Sequence, residues 1–449
     1  MDDILSGNPC NEIRLHVNNL PSTTKTTKGP TMPQRLFSPS VAVFCCVTAC
    51  ATHAQADFLG DSHASLDLRN MYMDRDFRQH GATQSRAAEW GQGFWLRYES
   101  GFTEGPIGFG VDALGEVGLR LDSSQAKHGT GMFPSDSNGE PADEFSKLGL
   151  TAKIKAGKSV LRLGSLQPLL PVVSYNDVRL LPSTFEGALL TSQDIDKLTL
   201  NVGRIKEQNL RDSSGNDDIG YQNEKSGALN LAGGTYSVTD SLKLSYYYAQ
   251  MEDIYKQNFV GAVHDIALGD GYALRTDLRW FDSNNTGASK LSSASRVDNG
   301  NIDNRFFNGM ITLSKGGHKF GVGYQNLSGD GDFPFPGHDP YSYNLSMVNI
   351  FTKADTDAWQ VRYDYNFAAL GIPGLTFMTK YVDGKNVRTT RVDNGVERER
   401  DSDITYVVQN GPFKDVSLKL RNAILRSGNG LTNDVNETRV VIGYTIKLW

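Results

Sequence analysis

The chain has 449 residues, with 45 Lys and Arg against 51 Asp and Glu and a formal charge of −6. That mild acidity argues against a general nucleic-acid binder, which needs a basic face. All four cysteines, Cys10, Cys45, Cys46 and Cys50, precede residue 57, so the chain beyond it has no disulfide, cysteine nucleophile or thiolate metal site.

Residues 1–31 are polar and patternless and read as a non-native extension upstream of a start at Met32. Residues 32–56 read as a secretory signal. Met32-Pro33-Gln34-Arg35 gives a short basic head, Val41 to Ala49 an apolar run, and Ala54-Gln55-Ala56 an A-x-A cleavage site. A lipoprotein signal at Val47-Thr48-Ala49-Cys50 is the alternative. Cleavage leaves residues 57–449 as one domain. The removed part carries four Lys and Arg and three Asp and Glu, so the remainder has a charge of −7. No later apolar run approaches the ~18 residues of a membrane helix. Mean hydropathy is −0.40, which suits either a soluble all-β protein or a transmembrane barrel, where only alternate residues meet lipid.

From there the dominant signal has a period of two, the mark of strands. Ala64, Leu66, Leu68 and Tyr72 share one face, with Asp67, Arg69 and Arg75 on the other. Phe94, Leu96 and Tyr98 oppose Trp95, Arg97 and Glu99. Phe109, Val111, Val117 and Leu119 oppose Asp112, Glu116 and Arg120. Leu148, Leu150 and Ile154 oppose Lys147, Lys153 and Lys155. Leu274, Leu278 and Trp280 oppose Arg275, Asp277 and Arg279. Trp359, Val361 and Tyr363 oppose Gln360, Arg362 and Asp364. Leu418 and Leu420 oppose Lys419 and Arg421. The last strand sets Val440, Ile442, Tyr444, Ile446 and Leu448 against Arg439 and Lys447, and the chain ends on Trp449. The second face carries too many charges for the core of a soluble sandwich. With lipid outside and water inside, it costs little.

Short turn signals at Thr103–Gly108, Ala156–Lys158, Thr239–Asp240, Lys315–Gly317, Gly371–Gly374 and Gly411–Lys414 alternate with long polar stretches. The long ones are Ser123–Phe145, Leu166–Thr191, Lys206–Lys225, Asp282–Arg305, Ser328–Tyr343, Asp383–Asp403 and Ser427–Glu437. This is the pattern of short periplasmic turns and long outer loops. The expected fold is an all-β transmembrane antiparallel barrel of about 16–18 strands in the outer membrane of a Gram-negative cell.

Enzyme signatures are missing: no G-x-S-x-G, H-E-x-x-H or Walker A occurs, and the histidines are scattered. No cofactor or metal is expected. The acidic stretches Asp330-Gly331-Asp332 and Asp212 to Asp218 read as solvated loops, or alternatively as sites bridging divalent cations to lipopolysaccharide. The informative set is basic and of inward parity: Arg69, Arg75, Arg97, Arg275, Arg279, Arg362, Lys380, Lys419, Arg421 and Arg439. A row of cations offers an anion successive weak sites, and the guanidinium fork matches a carboxylate. The competing reading pairs these cations with Asp67, Asp112, Glu116, Asp277 and Asp364 as wall braces.

Several motifs together resemble the OprD family of outer-membrane carboxylate channels, with OprE-type members as the nearest kind. They include Leu66-Asp67-Leu68-Arg69-Asn70, Tyr98-Glu99-Ser100-Gly101-Phe102-Thr103, Arg179-Leu180-Leu181-Pro182, Trp359-Gln360-Val361-Arg362-Tyr363-Asp364, Gly371-Ile372-Pro373-Gly374 and Tyr406-Val407-Val408-Gln409-Asn410-Gly411-Pro412. The resemblance spans essentially all of residues 57–449. It implies an 18-stranded monomeric barrel, narrowed by infolded loops and lined by a basic ladder. Carried over, the ladder includes Arg75, Arg86, Arg179, Lys419, Arg421 and Arg439, with Asp253 as an acid facing the pore. Arg362 and Lys380 join it by parity. Two departures stand out. Thr405 replaces a basic rung, and the acid and tyrosine of the family's inserted loop have no clear equivalents in Leu345–Thr356, which puts a preference for basic amino acids in doubt. The reading is a porin for passive diffusion of small carboxylates such as organic acids and amino acids. Its expected partners are those solutes, outer-membrane lipid and lipopolysaccharide, and the barrel-assembly machinery. An outer-membrane barrel enzyme of lipase or protease type is the alternative, and an occluded structural barrel a third.

Overall fold

The computed structural model describes residues 55–79, 82–286 and 290–449. The extension at residues 1–31, the signal segment up to residue 54 and all four cysteines lie outside the described residues. After a helical turn at Gln55–Gly60, eighteen long strands follow: β1 (His63–Phe77), β2 (Arg86–Glu99), β3 (Ile107–Asp122), β4 (Glu144–Ala156), β5 (Ser159–Leu166), β6 (Thr184–Ser192), β7 (Leu198–Asn209), β8 (Leu229–Ser237), β9 (Leu242–Met251), β10 (Tyr255–Gly269), β11 (Tyr272–Asn285), β12 (Asp303–Lys315), β13 (His318–Asp330), β14 (Asp357–Asn366), β15 (Leu375–Val387), β16 (Gly395–Val407), β17 (Ser417–Gly428) and β18 (Val435–Lys447). Each pairs antiparallel with its neighbours in sequence. β1 pairs with β18 from Ser65 opposite Lys447 to Phe77 opposite Val435, which closes the cylinder and leaves no free edge.

The outer surface follows the parity read from sequence. Leu148, Leu150, Phe109, Val322 and Phe320 are each more than half exposed. In water this would be a liability, but against acyl chains it is the low-energy arrangement. Short connections at one end, such as 157–158 and 316–317, alternate with longer ones at the other, such as 123–143, 167–183, 210–228 and 331–356. Two long stretches differ from expectation. Within Asp383–Asp403 the connection is only 388–394, because β15 and β16 continue as strands past the lipid zone. There both faces are polar, and the alternation that marks a strand in sequence fades. The loop expected at Ser328–Tyr343 instead runs on to residue 356.

The interior also departs from the simple pattern. On β10, β11 and β12 the inward positions include Phe259, Phe281 and Phe306, all buried. They stack with Phe333 of the 331–356 loop, whose ring lies 4.5 Å from that of Phe306 and 4.9 Å from that of Phe281. A second buried group joins Met71, Met73 and Trp95 of the wall to Met132, Phe133, Leu180 and Leu181 of two loops. Inward apolar residues therefore mark where loops are packed, while inward charges either face the remaining space or, like Arg279 and Arg439, anchor those loops. Two glycines on β2 make the second contact possible. A Cβ on Gly93 would lie 2.8 Å from the carbonyl oxygen of Leu180, and one on Gly91 would lie 2.6 Å from the Phe133 ring. Any larger residue would push the 167–183 loop off the wall.

Candidate functional site

A contiguous run of charged inward faces spans β14–β18 and β1–β2 across the barrel closure, and further inward charges lie on β3, β4 and β11 at Glu116, Lys147 and Arg279. Register sets Arg362 opposite Lys380, Lys380 opposite Asp401, Asp403 opposite Arg421, and Arg421 opposite Arg439. One continuous wall thus carries two pairs of neighbouring cations, Arg362 with Lys380 and Arg421 with Arg439, interleaved with the carboxylates Asp401 and Asp403.

Two loops fold into the barrel against this wall. The 167–183 loop is held by Lys147, whose Nζ donates to the Pro182 carbonyl at 2.8 Å. Arg69 holds it too, donating to Asp177 at 2.8 Å and to the Arg179 carbonyl at 2.6 Å, with its guanidinium 4.1 Å above the Trp95 ring. The 331–356 loop crosses the interior. On the β11 side, the rings of Tyr341 and Tyr343 lie 3.8 and 3.9 Å from the Arg279 guanidinium, and Tyr343 Oη donates to Asp277 at 2.5 Å. On the β16 side, the amides of Val348 and Asn349 each donate to Glu399 at 2.8 Å, and the Met347 amide donates to Asp401 at 3.1 Å. Lys353 pairs with Glu397 at 2.5 Å. The two loops meet where Asn176 Nδ2 donates to Asp339 at 2.8 Å.

The nine residues expected to line a pore divide three ways. Arg362, Lys419, Arg421 and Arg75 project into the remaining interior space. Arg362 is bidentate to Asp364 at 2.7 and 2.8 Å and its side chain is 42% exposed. Arg421 lies 2.9 Å from Asp403, and Arg75 lies 2.5 Å from Glu437. Lys419 makes no hydrogen bond or ion pair with any described residue; the charges around it are Arg421, Asp403, Arg69 and Asp177.

Lys380, Arg179 and Arg439 are buried, contrary to the expectation of solute contact, because the two loops cover them. Lys380 donates to the Leu345 carbonyl at 2.6 Å. Arg179 donates to the carbonyls of Thr130 and Val178. Burial, together with repulsion from Arg439, Arg211 and Arg75, drives its guanidinium pKa well below the usual value. Arg439, only 1% exposed, gives one donor to Glu437 at 2.5 Å, one to the Val178 carbonyl at 3.3 Å and one to the Met347 carbonyl at 2.7 Å. It binds both loops rather than facing open space.

The last two are misplaced. Arg86 has outward parity at the end of β2 and pairs with Asp74 at 2.5 Å beside Tyr72, on the outside of the barrel. Asp253 sits in the tight connection between β9 and β10, exposed, 3.4 Å from Lys290. Motif matching located both, but neither parity nor spacing supported either. Arg204 of β7 is also outward, 3.1 Å from Glu252.

Sequence reasoning missed Asp177, which brings a carboxylate from the 167–183 loop up to Arg69 and Lys419. It also missed the role of Arg279 as a loop anchor. Near the loop junction, His338 is largely buried. Desolvation, then the positive fields of Arg211, Arg179 and Lys147, hold its imidazole pKa down at about 3. Asp339 beside it is raised by burial.

The sequence matches the profile of the outer membrane porin, OprD family, over residues 56–448. The crystal structure of Pseudomonas aeruginosa OpdQ is 46% identical and superposes with a TM-score of 0.77, covering 88% of this chain and all of that one. Pseudomonas aeruginosa OccK8 (OprE) is 41% identical with a TM-score of 0.79 and the same coverage. Pseudomonas aeruginosa OpdK, crystallised with vanillate, is 34% identical with a TM-score of 0.80, covering 87% of this chain and all of that one. The expected likeness to OprE is present; OpdQ exceeds it in sequence identity and not in superposition.

Proposed function

Since the chain belongs to the OprD family of outer-membrane porins, we propose that it passes small carboxylates by passive diffusion along the charged wall of β14–β18 and β1–β2. The observation that carries this reading is Lys419. A lysine inside a barrel, near Arg421 and Arg69 and without an ion-pair partner among the described residues, is available to an anion. Arg421, neutralised by Asp403, adjoins it, and Arg362, neutralised by Asp364, stands further along the wall, each with a partly engaged guanidinium fork. A solute carboxylate can exchange with these acids for one fork at a time, so each step is favourable enough to enter and weak enough to leave. Asp177 on the facing loop supplies an opposing charge, giving a transverse field that would orient a zwitterion. The vanillate held by OpdK is itself a carboxylate, which fits the class.

In this reading the protein works as a monomer, with no bond chemistry and no cofactor. Lipopolysaccharide surrounds it, and the barrel-assembly machinery inserts it. The test is single-channel current across a planar bilayer. Anion-selective steps interrupted by benzoate or a short-chain carboxylate support it. A folded barrel that passes no current, or whose current ignores carboxylates, overturns it.

A further inference from the structure

The segment Glu397-Arg398-Glu399-Arg400-Asp401 on β16 alternates charge at every residue. Its acids all face inward, where they hold the 331–356 loop. Its arginines must then face outward, and both are exposed on the barrel's outer surface. We propose that this outer rim of β15–β17 binds the phosphate groups of an outer-leaflet glycolipid.

Four cations gather there. Register places Arg398 directly opposite Arg426 of β17, so two like charges are held side by side. Arg398 is 3.0 Å from Asp383; Arg426 has a carboxylate, Asp434, only at 3.9 Å, and otherwise donates to neutral acceptors, the Leu425 and Val435 carbonyls and the Asn436 amide oxygen. Arg400 donates to the Asn422 amide oxygen at 2.7 Å and has no carboxylate partner among the described residues. Lys385, exposed on the same outward face of β15, lies opposite Asp357 in register but forms no ion pair among the described residues, Asp357 accepting instead from Asn326 and Asn386. Elsewhere at this rim Arg86, Arg204 and Arg305 stand singly, each with an acid of its own, whereas here Arg400 and Lys385 add to Arg398 and Arg426 with no ion pair among the described residues. At β15–β17 the cations outnumber the acids.

Height completes the argument. Further along the same outward faces lie Ile404 and Leu420, both nearly half exposed and lipid-facing. Arg400 precedes Ile404 by four residues, about 13 Å at ~3.3 Å per residue. The arginines therefore stand where acyl chains give way to headgroups. A phosphate between Arg398, Arg400 and Arg426 would relieve their mutual repulsion and could accept bidentate bonds from each fork. Flanking apolar residues would hold the attached acyl chains, which a free phosphate lacks. The inference rests on the outer-membrane location and is independent of which solute the pore carries.

The test is native mass spectrometry of the intact barrel with bis-phosphorylated lipid A, compared with its dephosphorylated form. The barrel should retain the phosphorylated lipid, and the triple variant Arg398→Gln, Arg400→Gln, Arg426→Gln should retain about tenfold less. Millimolar inorganic phosphate should not displace the lipid. Equal retention by a folded triple variant overturns the proposal, as does equal retention of the dephosphorylated lipid. Displacement by inorganic phosphate would reassign the rim as a free-phosphate site and also overturn it. If the triple variant fails to fold, Arg400→Gln alone, which loses only its bond to Asn422, should still lower retention; an unchanged value overturns the proposal.

Discussion

Arg439 donates a 2.7 Å hydrogen bond from β18 to the backbone carbonyl of Met347, in the loop that crosses the barrel. A backbone acceptor is indifferent to the Met347 side chain, so the tether depends on the guanidinium alone. Replacing Arg439 by Gln removes this bond and the one to Val178 together and leaves Glu437 to Arg75. Loss of such a buried, charge-assisted contact costs on the order of 3 kcal/mol locally. The expected result is higher conductance and a larger cut-off for neutral solutes, with ion preference little changed. Single-channel current with graded polyethylene glycols would measure both. An unchanged cut-off would mean that the loops hold without it.

Lys419 and Arg421 should differ although both are cations on β17. Lys419→Gln removes a charge that has no partner among the described residues. Arg421→Gln also strips Asp403 of its ion pair and leaves a bare carboxylate in the passage. Both should lower the anion-to-cation permeability ratio, the first by about fivefold, the worth of one unit charge at ~4 Å in water, and the second by more. Reversal potentials in a salt gradient decide the order, and a larger effect at Lys419 would contradict it.

Gly93→Ala forces a Cβ within 2.8 Å of the Leu180 carbonyl oxygen. The wall is held by its strand ladder and the loop is not, so the loop should move. A cost of roughly 1–3 kcal/mol is expected for such overpacking. Amide exchange should accelerate across residues 176–183 while β2 stays protected. Acceleration confined to β2 would show that the wall gives way first.

The loop junction should loosen in acid. The imidazole pKa of His338 is held at about 3 in the folded state, below its ordinary value of 6.5. Between those values the open loop binds a proton that the closed loop excludes, so closure is fully favoured above pH 6.5 and weakens as pH falls toward 3. Asp339, raised by burial, works in the opposite sense and partly offsets this. Channel noise should therefore grow from pH 7 to pH 4, and His338→Asn should flatten the dependence. Noise that is insensitive to pH in the original protein would remove His338 from the account.

Much of this architecture was legible in the sequence because a lipid-facing strand has to alternate. Leu418, Lys419, Leu420 and Arg421 declare their faces without a partner in sight. The loops carry no such period. Parity said nothing about Arg86, Arg179 or Asp253, and two of the three lie elsewhere than supposed. Arg439 had the right parity and still lacks the expected exposure, because parity identifies the face of a strand and not what lies on it. The inward phenylalanines of β10–β12 carried the missing signal. An apolar residue at an inward position of a wet barrel announces a packed loop.

The closure of the cylinder has a consequence for biogenesis. The charged wall is contributed by strands from both ends of the chain, and the pairing of residues 65–77 with 435–447 joins segments some 370 positions apart. Such a contact forms late, after the loop entropy of the intervening chain has been met by the other strands. Until that zipper closes, Arg69 and Asp177 have no Lys419 and Arg421 beside them. Selectivity is thus the last property the nascent molecule acquires, and an arrested, unzipped intermediate would be a leak without a preference.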